Sequence, residues 1–335
     1  MLKILLRRIL LLIPTLIGLT LLLFAISRLL PGDPVRLAAG PQASAATIEQ
    51  MRVEFGLDRS LAEQYLGYLG NLVQGDWGRS VMSRRPVGTD IATFLPATLE
   101  LVIAALALAA CIGVPLGLIA AVRKDRISDY AVRFGSLFAL STPQFFLGLM
   151  MQILFAMVLR MFPLGGRFPF VATPPHQVTG LLTVDSLLAL DFRSLGLALL
   201  HLSLPALVLC LSPMATIIGL MRSSTIGVLQ QDYVRTARAF GLSERRINFK
   251  YVLRNAFGAT LTVIGLYFGW LLGGTVIVET VFDWPGIGLY ATKAIVSQDF
   301  MPVIGVALVV GLLFIVTNIV VDLLQRVVNP RTEAE

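Results

Sequence analysis

An all-α integral membrane protein with six spanning helices is what this 335-residue sequence predicts, and three observations carry that expectation. Hydrophobic residues make up 56% of the chain and charged residues only 14%, against roughly a quarter charged in soluble domains, and the mean hydropathy is +0.81. Several windows exceed the ~18 apolar residues that mark a spanning helix, since about 20 residues at 1.5 Å rise are needed to cross the hydrocarbon core. The period-two alternation of a membrane barrel is absent, and in lipid only helices and closed barrels satisfy the backbone.

The first span, Ile9 to Leu30, follows Lys3, Arg7 and Arg8 as a signal peptide would. It is too long for one, and its end, ISRLLPGDP (Ile26 to Pro34), lacks a small-residue cleavage site, so residues 1–30 are expected to stay as an anchor. Residues 31–96 are too many for a plain loop. Thr47 to Phe55, ended by Gly56, and Ser60 to Val73 have helical periodicity, which predicts a small external helical subdomain. The other spans are placed at Ala97 to Val122, Phe134 to Leu159, Gly196 to Met221, Thr260 to Phe282 and Pro302 to Leu324, within a core of residues 97–325. Between the third and fourth, Phe162 to Asp191 is irregular and rich in Pro and Gly. Residues 326–335 form a tail.

Six spans put both termini on one side. Sixteen Lys and Arg fall in residues 1–8, 122–133, 222–254 and 325–335, against ten in the intervening segments, which are nearly twice as long. Cytoplasmic loops retain Lys and Arg, so both termini are expected inside and residues 31–96 outside. The formal charge of +7 then reads as a topology signal with attraction to anionic lipid, and not as a nucleic-acid surface.

Several chemistries are excluded. None of the four lysines follows Gly in a phosphate-binding G-x-x-x-x-G-K-[ST] loop, and H-E-x-x-H and G-x-S-x-G are absent. His176 and His201 are far apart, and Cys111 and Cys210 lie within predicted spans, so neither a metal centre nor a disulfide framework is indicated.

Polar residues at membrane depth need an explanation. Glu279, just before a Trp-Pro-Gly turn (Trp284, Pro285, Gly286, with Gly288 beyond), could border the path of a substrate bearing an ammonium group. It could equally reach water or a backbone partner, and Glu100 reads the same way. In the third span, Ser141, Thr142, Gln144 and Gln152 join hydrogen-bonding side chains to the helix-bending Pro143, which suits either a cavity wall or helix packing. Asn318, Asp322 and Arg326 recur every fourth residue, which predicts an internal acid–base pair. Met150, Met151, Met157 and Met161 read as packing and lipid contact.

One stretch departs from the pattern. Asp232 to Ala256, DYVRTARAFGLSERRINFKYVLRNA, carries six basic residues between two apolar spans. Gly241 suits a left-handed helix end and Ser243 an N-cap; Leu242 and Ile247 have the spacing of a hydrophobic staple, and Glu244 complements the helix dipole. The first helix is expected to carry Tyr233, Ala237 and Phe240 along one face and Arg235 and Arg238 on another. Such a segment can lie on headgroups, enforce topology, or offer a shaped surface to a protein. The designed bend favours the last.

Arg235-Thr236-Ala237, then Gly241, then Tyr251-Val252-Leu253, resembles the cytoplasmic coupling ("EAA") loop of ABC importer permeases, and DYVRTARAFGLSERR with LRNA downstream resembles its peptide-importer branch. Arg235 stands where the general loop has Glu and Arg254 where it has Pro, departures that the peptide branch shares. Phe240 stands where that branch has Lys. RRILLLIPTLIGLTLLLFAISRLLPGDP (Arg7 to Pro34), Gly56-Leu57-Asp58, Gln64-Tyr65-Leu66, Gly75-Asp76-Trp77-Gly78, Pro96-Ala97-Thr98-Leu99-Glu100 and ETVFDWPGIG (Glu279 to Gly288) fall in the order that the branch shows.

The resemblance implies a type I ABC importer permease-like fold in the inner membrane, with residues 230–257 as the loop. Its ATPase-coupling residues would be Asp232, Tyr233, Arg235, Thr236, Ala237, Arg238, Ala239, Gly241 and Leu242. Candidates for the translocation path are Gln144, Gln152 and Glu279, and for an outer turn or gate Trp284, Pro285, Gly286 and Gly288. The implied partners are a second, homologous permease subunit in a heterodimer, one or two ATPase subunits that use the ATP and Mg²⁺, and a periplasmic or lipid-anchored solute-binding protein. The chain itself would bind no cofactor and catalyse nothing. The implied cargo is a dipeptide, an oligopeptide or a peptide-like solute such as glutathione, with nickel complexes and oligosaccharide-like solutes within the branch's range. An ion-coupled secondary transporter is the alternative from another class. It predicts inverted repeats and mid-membrane ionisable groups, and neither is evident.

Overall fold

A computed structural model of the chain describes residues 2–29, 44–54 and 58–328. The described residues are helical apart from turns and loops, with one isolated antiparallel bridge between Arg79 and Pro86. They form two compact units, one of residues up to Pro96 with Gly286–Leu313, the other of Ala97–Pro285 with residues from Phe314 onward.

In the first unit, α1 (Leu2–Leu29) is apolar over Leu12–Ile26. After α2 (Ala45–Glu54), α3 (Leu61–Val73) starts at a complete capping box: Ser60 accepts from the Glu63 N–H while the Glu63 carboxylate accepts from the Ser60 N–H. Gly56, the expected stop of the preceding helix, lies outside the described residues. Phe24 of α1 packs against Tyr65 and Tyr68 of α3, with ring centroids 5.4 and 6.1 Å apart. A second core joins the start of α4 (Val87–Val122), α12 (Ile287–Val296) and the start of α13 (Phe300–Val328) through Val87, Ile91, Ile287, Ala291, Val306 and Val309.

The second unit is built around α8 (Phe192–Leu229), 38 residues long, with α5 (Ile127–Ser141), α6 (Gln144–Val158) and α10 (Glu244–Gly274) packed on it. The short helices α7 (Leu182–Leu188), α9 (Asp232–Ala239) and α11 (Val276–Val281) complete it. Without a hydrophobic drive between helices in lipid, close approach at small residues takes over. Gly113 and Gly117 of α4, four apart, set that helix against α8: a Cβ on Gly117 would lie 2.7 Å from Met221 Cβ and 2.8 Å from the Ile218 carbonyl oxygen. Gly265 and Gly269 of α10 repeat the device against Val321 and Phe314 of α13.

Among the described residues, four helices, α4, α8, α10 and Phe300–Leu323 of α13, are long and apolar enough to cross a membrane, and α5 with α6 would make a fifth. The expected third span, Phe134 to Leu159, is corrected by a 103° bend between α5 and α6. Its cause is local. Pro143 cannot continue a helix, and its ring forces Thr142 into extended backbone, φ −93° and ψ 128°. The expected fifth span is shifted as well: its helix begins at Glu244, ends at Gly274 and restarts as α11. Phe134, Leu137, Phe138, Phe145 and Phe146 stand exposed on α5 and α6, as lipid-facing or subunit-facing side chains do. The expected pairing of Asp322 with Arg326 lies outside the described side chains.

Gly117→Ala is expected to lower stability by about 1–3 kcal/mol, because the Ile218 backbone and Met221 would both have to move. Gly135→Ala in α5, with nothing within 4 Å, should leave the thermal midpoint in detergent unchanged or raised.

Candidate functional site

The charged segment folds as a short helix, a glycine turn and the start of a long helix. α9 has Asp232 in its first turn and Arg238 in its last, each complementing the helix dipole. Its end closes as a Schellman motif: the Leu242 N–H donates to the Ala237 carbonyl at 3.2 Å and the Gly241 N–H to the Arg238 carbonyl at 2.9 Å. That motif requires a left-handed residue, and Gly241 has φ +75°. Arg238 then spans the turn, with Nε 2.8 Å from Glu244 Oε1. Ser243 takes the N-cap position of α10 with extended backbone and no side-chain cap bond. The first turns of α10 widen into a π-helical stretch, Ile247–Val252.

Of the face carrying Tyr233, Ala237 and Phe240, the structure buries Ala237 alone. Val234 and Ala237 are buried with Leu118 of α4, Met221 of α8 and Ile247, Val252 and Ala256 of α10, and Leu242 packs on this cluster beside its staple partner Ile247. Tyr233 is 43% exposed and Phe240 83% exposed. Val234 and Ala237 lie three apart on one helical stripe, whereas Phe240 sits where the chain leaves for the glycine turn, which carries its side chain away. Asp232, Arg235, Thr236, Arg238, Ala239 and Gly241 are exposed as well, so α9 is anchored along one stripe and open over the rest.

Directly behind this segment is a contact that sequence reasoning missed. Arg222 of α8 donates Nε and Nη2 to Asp129 Oδ1 and Oδ2 of α5, both at 2.7 Å, and the Asp129 carboxylate is wholly buried. The Asp125 N–H adds a bond of 3.1 Å to the same carboxylate. Arg222 reads in sequence as one more basic loop residue. The available signal was its place at the end of an apolar run, where a cation needs an anionic partner.

The second group of candidates converges on the turn after α11. Glu279 is fully buried and accepts a 2.6 Å hydrogen bond from the Thr98 hydroxyl. Trp284, also buried, donates its indole N–H to the Ala97 carbonyl at 2.9 Å. Gln152 donates its amide to the carbonyls of Leu164 and Val281, at 2.8 and 2.9 Å. The Gly166 N–H meets the Phe282 carbonyl at 2.8 Å, and a Cβ on neighbouring Gly165 would fall 2.4 Å from that oxygen. His201 Nδ1 faces the carbonyls of Gly165 and Gly166 at 3.2 and 3.1 Å, so it carries the proton there. Gln152 and Glu279 therefore act as fixings of the turn. Gln144, in the first turn of α6, has a buried amide nitrogen without a hydrogen-bond partner among the described residues. Pro285 follows Trp284 directly, Gly286 is the N-cap of α12 and Gly288 is buried within that helix.

Glu100, for which water or a backbone partner was the plainer expectation, has an ion pair as well. Arg167 Nη2 lies 2.6 Å from its Oε2, while the Thr183 N–H and hydroxyl donate to Oε1 at 2.7 and 2.6 Å. Nearby, burial works to raise the Asp185 carboxyl, but hydrogen bonds from Thr179 and Gly180 outweigh it and hold that group below the usual carboxylate range.

The sequence that builds this capped, half-open helix among long apolar helices matches a described family. The family models for the inner membrane component of binding-protein-dependent transport systems cover residues 113–334, and for its N-terminal part residues 1–102. The chain belongs to this family. Among its relatives, the di/tripeptide transport system permease protein of Pseudomonas aeruginosa (strain UCBPP-PA14) is 43% identical over 336 residues, 99% of this chain and 98% of that protein. The dipeptide transport system permease protein of Escherichia coli (strain K12) is 39% identical, again over 99% and 98%. The glutathione transport system permease protein of Escherichia coli O1:K1 / APEC is 38% identical over 98% of each chain.

For this inner membrane component the buried ion pair gives a direct test. Asp129→Ala leaves Arg222 with no partner in a largely buried site, which costs about 3–5 kcal/mol. A fall in thermal midpoint of that order, in purified protein, is the expected outcome; an unchanged midpoint would show that the pair holds nothing together.

Proposed function

We propose that this chain is the permease subunit of an ATP-driven importer that carries short peptides or peptide-like solutes, such as dipeptides, oligopeptides and glutathione, into the cytoplasm. The observation that carries the reading is α9, held by Val234 and Ala237 to the cluster on α4, α8 and α10, with Tyr233, Arg235 and Phe240 left open. A short helix so mounted transmits force from a partner to the long helices. The peptide class is supported by relatives of similar length whose names are those of dipeptide, di/tripeptide and glutathione permeases.

In this reading six spans cross the inner membrane, formed by α1, α4, the bent pair α5–α6, α8, α10 and α13. The bias of Lys and Arg places both termini and the coupling loop in the cytoplasm and residues 31–96 in the periplasm. Two ATPase subunits dock on α9 and its counterpart in a homologous permease subunit, and a solute-binding protein delivers cargo outside. This chain holds neither ATP nor Mg²⁺, in keeping with a sequence that has no phosphate-binding loop. ATP binding draws the ATPases together, α9 moves with them, and the long helices shift between outward and inward access. Gln144 is the candidate wall of the path, while Gln152 and Glu279 keep the turn at Trp284 and Pro285 rigid as the helices move.

Affinity capture of the tagged chain from its native membrane in mild detergent tests the assembly. Two P-loop ATPases and a second six-span subunit are expected with it, and capture of the chain alone, with uptake driven by a proton gradient, would overturn the reading. Gly241→Val forces a β-branched residue to φ +75° and is expected to cut peptide uptake at least ten-fold, with the complex still inserted and assembled. Uptake at the wild-type ratio to ATP hydrolysis would exclude this turn from the joint.

A further inference from the structure

Just beyond the glycine turn, Ser243, Arg245, Arg246, Phe249 and Lys250 line a shallow, open cleft of ≈450 Å³. Arg167, Arg222 and Arg238 each hold a carboxylate within 3 Å, but among the described residues Arg245, Arg246 and Lys250 form no ion pair. Arg245, Arg246, Phe249 and Lys250 all belong to the first turns of α10, whose N-cap is Ser243. Ile247 and Val252 are buried, which leaves the lining residues on the open side of the helix.

Two arginines, a lysine and a hydroxyl around one hollow are complementary to phosphate oxygens, with arginine offering paired N–H donors and lysine a point charge. The position favours a phosphate that is part of a lipid. The cleft opens on the first turns of a helix that runs directly into an apolar span, and Phe249 at its rim is 61% exposed, as an aromatic at the headgroup and acyl boundary would be. We propose that this cleft binds the phosphodiester headgroup of an anionic phospholipid from the cytoplasmic leaflet. It rests on the topology proposed above for its depth, but it is a site on this chain separate from the exposed face of α9.

The test uses the full-length chain purified alone in detergent, with phosphatidylglycerol, phosphatidylcholine and inorganic phosphate as probes and native mass spectrometry as the readout. Wild type is expected to retain phosphatidylglycerol at least ten-fold better than phosphatidylcholine. R245Q/R246Q/K250Q is expected to lose that preference, while R123Q/K124Q/R126Q, which removes equal charge from another exposed loop, keeps it within two-fold. Single variants R246Q and K250Q, each expected to lose about five-fold, carry the comparison if the triple variant unfolds. Equal losses in both triple variants would mean a diffuse positive field and overturn the site. Inorganic phosphate that displaces the lipid at equal concentration would make it a site for free phosphate. Unchanged lipid retention with loss of the ATPase subunits from the captured complex would assign the cleft to the partner interface, which overturns this proposal and leaves the importer reading standing.

Discussion

A backbone carbonyl or N–H that leaves its helix inside hydrocarbon finds no water, at a cost of several kcal/mol for each group. That constraint explains where this chain bends and what lies beside each bend. At Pro143, which has no N–H to continue the ladder, the helix stops, and the last helical acceptor before it, the Phe138 carbonyl, receives both the N–H and the hydroxyl of Thr142 at 3.1 and 2.8 Å. Where α11 ends, the carbonyls of Val281 and Phe282 are met by the Gln152 amide and the Gly166 N–H. Gln152 is buried because it replaces water for two carbonyls at once, which is a structural task demanding as much polarity as a binding site.

Buried charge follows the same rule at higher stakes. The partners Asp129 and Arg222 are 93 residues apart, and Glu100 and Arg167 are 67 apart, yet each pair has direct charge-assisted hydrogen bonds. Such a pair contributes little net stability compared with an apolar replacement of the same shape. What it does is make other registers expensive: if α5 slid along α8, an uncompensated carboxylate would remain in the interior. The paired glycines of α4 and α10 act in the complementary sense. They let helices come close, while the ion pair fixes how far along each other they lie.

Composition and apolar run length made the helices legible, and Pro143 announced the bend within the third span. The turn of the charged segment was also legible, because Gly241, Leu242 and Ile247 bear a local signature that needs no tertiary information. Its buried face was not. Apolar side chains at Tyr233, Val234, Ala237 and Phe240 define two adjoining stripes, and only the position of Met221 and Val252 decides which one is covered. The π-helical starts at Gln152 and Ile247 leave no mark in periodicity, since one extra residue per turn is lost within a short window. Ion partners many residues away are invisible to spacing rules for the same reason that they are useful, namely that they tie distant segments.

The eight residues of α9 are too few to hold a helix in water by themselves, because nucleation costs more than so short a run of hydrogen bonds returns. Its helicity is therefore borrowed from the capped turn at Gly241 and from the burial of Val234 and Ala237. A partner that grips the exposed stripe cannot move α9 as a loose peptide. It can only melt it, at the expense of that burial, or carry the cluster along with it. Since the cluster includes Leu118, Met221 and Ala256, one each from α4, α8 and α10, displacement of a two-turn helix is shared among three long ones. The Asp129 and Arg222 pair, at the same end of α8, ties α5 to that displacement, which is what the proposed joint requires: its stability and its connections come from the same contacts.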